Sequence, residues 1–177
     1  MNITLPTQPP AQMTDGVPSR LSAPIRRATD RMARWLADHS VAILRVSLGL
    51  VFLMFGILKF IPGASPAEEL AVRTVQTLSF GMLSAQAALL LTAVVETFIA
   101  VTLITGRLLR TGLVVMAGAL VGILSPLVLF FADLFPGAPT LEAQYVLKDV
   151  VLVAAGLVIA ASAMGARLQA APARRSR

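Results

Sequence analysis

Residues 41–61 read VAILRVSLGLVFLMFGILKFI. This run carries only two charges, Arg45 and Lys59, and has the roughly 20 residues that a helix needs to cross about 30 Å of hydrocarbon. In lipid every backbone amide must find its partner within its own segment, so the run must be helical. Three stretches of the same kind follow, at 86–105, 112–131 and 145–163. The second contains only Glu96, the third no formal charge, and the fourth Lys148 and Asp149. Composition agrees. The 177 residues are 56% hydrophobic and 14% charged, with a mean hydropathy of +0.80, against about 45–50% and about 25% in soluble domains. So much apolar surface cannot be hidden in a soluble fold of this size and must face lipid. The sequence therefore predicts an all-α, four-helix transmembrane bundle over residues 41–163, in a multi-pass protein of the cell membrane.

The flanks differ in kind. Residues 1–40 are expected to be a disordered, basic tail. Residues 1–25 mix five prolines with Thr, Gln and Ser, a composition that buries too little to fold. Residues 26–40, RRATDRMARWLADHS, form a basic amphipathic run leading into the first span, with Trp35 at headgroup level and His39 in interfacial water. The first apolar run begins some forty residues in and exceeds a signal core, so no cleavable leader is expected. Residues 164–177 make a second basic tail. Eleven of the fifteen Lys and Arg lie in these tails or in the turn between spans two and three. The positive-inside rule then puts both termini in the cytoplasm. The net charge of +6 needs no nucleic acid to explain it; a tail such as ARRSR is a topology signal and a contact for anionic lipid.

Chemistry is narrowed by what is missing. No cysteine excludes disulfides, a dithiol redox pair, iron–sulfur ligation and thioether-linked haem. A single histidine rules out bis-imidazole haem and argues against a histidine-built zinc site. The extramembrane segments are too short to fold alone, so any site must use the bundle or the two outer loops. In the first loop, Ser65-Pro66-Ala67-Glu68 reads as a capped start of a short amphipathic helix running to about Leu78. Its apolar edge is Leu70, Val75 and Leu78, and Glu69 and Arg73 stand at ion-pair spacing. In the second loop, Thr140 is placed to cap the fourth helix.

Within the spans, Arg45, Gly49, Phe52, Gly56 and Lys59 share one helical stripe, whose glycines admit a close neighbour and whose charges turn it toward protein. Gly118, Gly122 and Ser125 form a comparable stripe on the third span, ahead of a kink at Pro126. Glu96, near mid-membrane, must be paired, protonated or watered. Side chains lean toward their helix N-terminus, so Glu96 leans toward Lys59, while Arg45 leans away and snorkels. The expected site is a polar cluster of Lys59, Glu96, Lys148 and Asp149, joined by Tyr145, with Arg45 counted among the candidate residues. Fixing helix register, holding a ligand or headgroup, and passing protons are all roles such a cluster can serve.

The run RVSLGLVFLMFGILKFIPG (45–63) resembles the first helix of the DoxX family of small bacterial membrane proteins, and SPAEELAVRTVQTLSFG (65–81) a connector found in one branch of it. ETFIAVTLITGRLLR (96–110) resembles its second helix and following turn, and LSPLVLF (124–130) and PTLEAQYVLKDVVLVAAGLVI (139–159) its later helices. The resemblance spans Arg45 to Ala163 and implies a four-helix membrane protein of a bacterial inner membrane. Relatives are linked to thiosulfate:quinone oxidoreductase complexes and other membrane oxidoreductase assemblies. The positions matching the family's recurring polar residues are Arg45, Lys59, Glu96, Arg107 and Lys148. This chain departs from the family in having Glu142-Ala143-Gln144 where Gly-Gln is common, and Asp149 where Asn is common.

Three functions compete. The resemblance implies an accessory or quinone-associated subunit of a membrane oxidoreductase system, more a non-catalytic subunit than a stand-alone enzyme. Such a subunit has no covalently bound cofactor, and its electrons come from a partner protein or a bound quinone. A small proton-coupled transporter with Glu96 as the titrating group is the second, and would call for a homo-oligomer. The third is a scaffold or assembly factor without turnover.

Overall fold

A computed structural model describes residues 22–61, 63–65 and 68–167. All regular structure in these residues is helical: α1 (Ser22–Leu58), α2 (Glu68–Leu78), α3 (Ala85–Thr105), α4 (Leu109–Leu124), α5 (Pro126–Leu129), α6 (Phe131–Leu134), α7 (Leu141–Lys148) and α8 (Val150–Ala163). Four stretches are long and apolar enough to cross a membrane: Ile25–Leu58, Ala85–Thr105, Leu109–Leu129 and Leu141–Ala163. Only 17–39% of each is buried inside the bundle, which leaves the remainder as the apolar coat that a bilayer solvates. The third span is α4 plus α5, broken at Ser125, and the fourth is α7 plus α8, broken at Asp149.

The spans close a ring in which α1 lies against α3 and α8, and α4 against the same two helices. The core at the end bearing the termini is tight: Ile99, Leu103 and Ile159 are fully buried, with Leu48, Phe52 and Met116 around them. Lipid is as apolar as these side chains, so close packing, and not transfer from water, holds the ring together. Close packing is visible at the expected α1 stripe. A Cβ on Gly49 would stand 2.8 Å from Ile104 Cγ1, and one on Gly56 3.0 Å from Thr97 Oγ1 and 3.1 Å from Glu96 Cβ. On the third span the expected stripe is corrected: Gly118 and Gly122 meet nothing within 4 Å, and the close approach is made by Gly112 against Thr102. That helix is apolar round its whole circumference, so spacing alone could not show which side faces protein.

The N-terminal expectation is also corrected in part. Residues 22–40 belong to α1 and are not a disordered tail; residues 1–21 lie outside the described residues, as does the C-terminal tail beyond Arg167. Ala28, Met32, Ala33, Leu36 and Ala37 are good helix formers, and adding residues to an existing span avoids a new nucleation event. The 37-residue α1 is about 55 Å long, against about 32 Å for α3. Its first turns therefore stand clear of the bundle, with Trp35 stacked on His39 at 5.0 Å.

The short loop helix α2 forms as expected and docks on α3 near α4 and α5, burying Leu70 and Thr74. Its expected cap is not made. The Glu68 carboxylate instead accepts the Gly63 N–H at 2.9 Å, the Ser65 hydroxyl has no partner among the described residues, and Pro66 and Ala67 are outside them. Arg73 does not pair with Glu69. It donates to Asp133 Oδ2 at 2.7 Å and lies 4.0 Å from the Phe130 ring, tying α2 to the chain after the Pro126 break. An exposed pair within one helix gains little, and a charge partner backed by an aromatic face wins. Thr140 caps α7 as its position predicts, accepting the Ala143 N–H at 3.2 Å.

Candidate functional site

The stripe on α1 ends in a charge. Lys59 is the first residue past α1, and its amide still bonds to the Gly56 carbonyl at 3.2 Å. Gly56 brings α1 so near α3 that the Lys59 side chain reaches Glu96 directly. Nζ donates to Oε1 at 2.8 Å and to Oε2 at 2.7 Å, and each residue is only 7% exposed. The carboxylate is thus held by both oxygens. An ammonium has three N–H donors; two are engaged here, and Phe55 sits under Nζ at 5.8 Å.

This pair lies on the wall of a cavity of about 450 Å³ in the half of the bundle remote from the termini. Phe52 and Phe55 of α1, Val95 of α3, Ala119 of α4 and Leu152 of α8 supply apolar walls, and α2 forms the roof through Leu70 and Val75. Polar groups are few: Lys59, Glu96, Asp149, Tyr145, Thr92, Thr74 and Ser65. The threonines are accounted for locally, Thr92 donating to the Leu89 carbonyl at 2.8 Å and Thr74 to that of Leu70 at 2.6 Å. Ser65 is not. It is 8% exposed, and its Oγ has no hydrogen-bond partner among the described residues.

The backbone also changes character here. Two interruptions and one helix end line the cavity: the Ser125–Pro126 break, the Asp149 break and the end of α1 at Lys59. Irregular backbone at membrane depth is tolerated where it borders a cavity or is buried in protein, and not where it faces lipid.

The expected cluster is realised in part. Lys59 and Glu96 are joined, and Asp149 and Tyr145 line the same cavity. Lys148 is turned away: it is exposed, with Nζ 5.3 Å from the Tyr145 ring. Successive residues on a helix point about 100° apart, so Lys148 and Asp149 cannot both face the interior. Arg45 is not part of the site. Its guanidinium fills the space where a side chain on Gly106 would stand, at the C-terminus of α3, where a cation is favoured by the helix dipole; Gly106, at φ 72°, takes the left-handed cap there. Arg107 is exposed in the same turn. Sequence reasoning missed Ser65 as a cavity residue, because its place before Pro66 and Glu68 reads as a cap. It also missed α2 as the roof, for which the Leu70–Val75–Leu78 edge was the available signal.

No curated protein and no solved structure matches the chain. Residues 40–132, which hold the second half of α1, the second and third spans, α2 and both members of the buried pair, match the DoxX family model. With more than half its length matched and the first-helix stripe delivering Lys59 to Glu96, the chain belongs to the DoxX family.

Proposed function

We propose that this protein is a quinone-associated membrane subunit of an oxidoreductase system, holding a quinone in the cavity beside Lys59 and Glu96. The observation that carries the reading is an apolar chamber in a membrane bundle with a few convergent donors on its wall, the usual form of a small-molecule site. The third N–H of Lys59 and the unpartnered Ser65 hydroxyl suit a carbonyl acceptor, and the phenyl rings and aliphatic walls suit a lipophilic ring and tail. A bound quinone would supply two-electron redox chemistry that this cysteine-free chain lacks. The chain's own residues would bind and orient: Glu96 fixes the Lys59 ammonium by both oxygens, Lys59 presents its remaining proton to the ligand, and α2 closes the chamber over it. Redox partners would be other proteins of the same membrane. With both termini in the cytoplasm, the site lies in the outer half of the membrane.

The test is binding of decylubiquinone to the full chain in nanodiscs. The native protein is expected to bind it saturably, and Lys59→Met and Ala119→Phe, which drives a ring into the chamber, each to bind at least tenfold more weakly. Equal binding by the native protein and Ala119→Phe refutes the site, as does no binding by either. Glu96-dependent proton flux in proteoliposomes would instead favour a carrier. The packed core at Ile99, Leu103 and Ile159, between the chamber and the end bearing the termini, weighs against that second reading.

A further inference from the structure

Donor and acceptor accounting in the chamber leaves one acceptor without a donor. Both oxygens of Glu96 are engaged by Lys59. Asp149 lines the same chamber, yet among the described residues it makes no side-chain hydrogen bond, and no Lys or Arg nitrogen lies within 4.0 Å of it. It stands at the N-cap position of α8, where an aspartate usually caps, but makes no cap bond. Its neighbour Lys148 is turned to the outside. The other unused hydroxyls there among the described residues are that of Ser65, more than nine-tenths buried, and that of Tyr145, which is partly exposed. Among the described residues the cavity wall thus offers donors at Lys59, Ser65 and Tyr145, and an acceptor at Asp149 that none of them engages.

An ionised carboxylate accepts and does not donate. A quinone head has two acceptors and no donor, so it answers the donors on the wall but leaves the Asp149 carboxylate without one. A reduced head has two hydroxyls, each able to donate and to accept. We infer that the chamber is built for a hydroxyl-bearing head, with Asp149 as the acceptor of its O–H, so that the quinol is bound in preference to the quinone. The inference rests on the reading of the chamber as a quinone site and adds the form of ligand it selects. Asp149 is a specificity-determining residue here, and binding alone is involved, with no bond made or broken.

The experiment compares decylubiquinol with decylubiquinone under anaerobic conditions, on the full chain in nanodiscs, by competition against a bound fluorescent quinone analogue. A hydrogen bond to a carboxylate is among the stronger ones, so the native protein is expected to prefer the quinol at least tenfold. Asp149→Leu is expected to bring the two affinities within threefold of each other, with its circular dichroism and its unfolding midpoint reporting separately that the variant is folded. If Asp149→Leu does not fold, Asp149→Asn is expected to cut the preference at least threefold. Equal binding of both forms by the native protein, or a preference that survives substitution of Asp149, overturns the inference and leaves the quinone site standing. Failure of the native protein to bind either form removes the quinone reading, and this inference with it.

Discussion

Lys59 and Glu96 offer the sharpest test of the helix arrangement, because the molecule contains its own control. Two ion pairs of the same 2.7 Å length join different elements, Lys59–Glu96 and Arg73–Asp133. The first has side chains 7% and 9% exposed, the second 52% and 60%. Distance being equal, burial decides what each loss costs. Lys59→Met strands a carboxylate, and Glu96→Leu strands an ammonium, each in apolar surroundings. Breaking a buried pair from one side costs about 3–5 kcal/mol, whereas replacing both partners by apolar residues of similar size is near neutral. Each single variant is therefore expected to lose about 3 kcal/mol or more, and the double variant Lys59→Met/Glu96→Leu to recover to within about 1 kcal/mol of the native protein. Arg73→Ala and Asp133→Ala should each cost no more than about 1 kcal/mol. Equilibrium unfolding in mixed micelles with increasing dodecyl sulfate measures all of these. Single losses below about 1 kcal/mol that add in the double variant to within about 0.5 kcal/mol would mean that the two residues do not meet, and the α1–α3 register would be wrong.

The remaining predictions concern packing and depth. Gly112→Ala drives a methyl into Thr102 and is expected to cost about 1–3 kcal/mol by overpacking in the same unfolding assay. Gly118→Ala enters open space and is expected to be neutral or to stabilise by up to about 1 kcal/mol through helix propensity; the reverse order would refute the packing of α4. Trp35 is the one tryptophan of the chain and half exposed. A headgroup-level nitroxide is expected to quench its fluorescence more than a mid-bilayer nitroxide does, and stronger quenching from the deep label would show that the membrane begins earlier on α1.

The four spans were legible because their length and lack of charge admit no other conformation in lipid. The Lys59–Glu96 contact was legible because two expensive charges on neighbouring helices lean toward each other, and Gly56 removes the side chain that would keep them apart. Faces were harder to read wherever a helix is apolar all round. Nothing in the spacing of Gly118 and Gly122 distinguishes lipid from protein, and the true close approach, Gly112 against Thr102, falls at the helix start where a glycine attracts no notice. Lys148 was misplaced for a related reason. Adjacent charges suggest a common cluster, but the helix sends Lys148 out and leaves only Asp149 on the chamber wall. Ser65 and the roof depend on how α2 docks, a tertiary event in which Leu70 packs with Leu134, Ala143 and Val146 and Arg73 reaches Asp133 and Phe130 across about sixty residues of sequence.

Two breaks in otherwise ideal membrane helices are costly, and chance would scatter them. Here Pro126 and Asp149 come from two different spans and border one chamber, together with Lys59 at the end of a third. Pro126 cannot donate to the turn before it, so the α4 helix ends at Leu124; the Ser125 hydroxyl bonds back to the Gly122 carbonyl at 2.7 Å. At Asp149 the chain turns through a shorter-range bond to the Val146 carbonyl at 3.1 Å. A bundle needing only to span a membrane gains nothing from either device, and a continuous helix would pack as closely in this half as the Ile99–Leu103–Ile159 core does in the other. The contrast between a sealed half and an interrupted half is what a site for a guest molecule requires: rigid walls on one side, and on the other enough irregular backbone to leave room and turn an unpaired acid inward. If Pro126→Ala and a continuous helix through residue 149 both left ligand binding intact, the breaks would be incidental to the chamber, and the case for a built site would lose its architectural support.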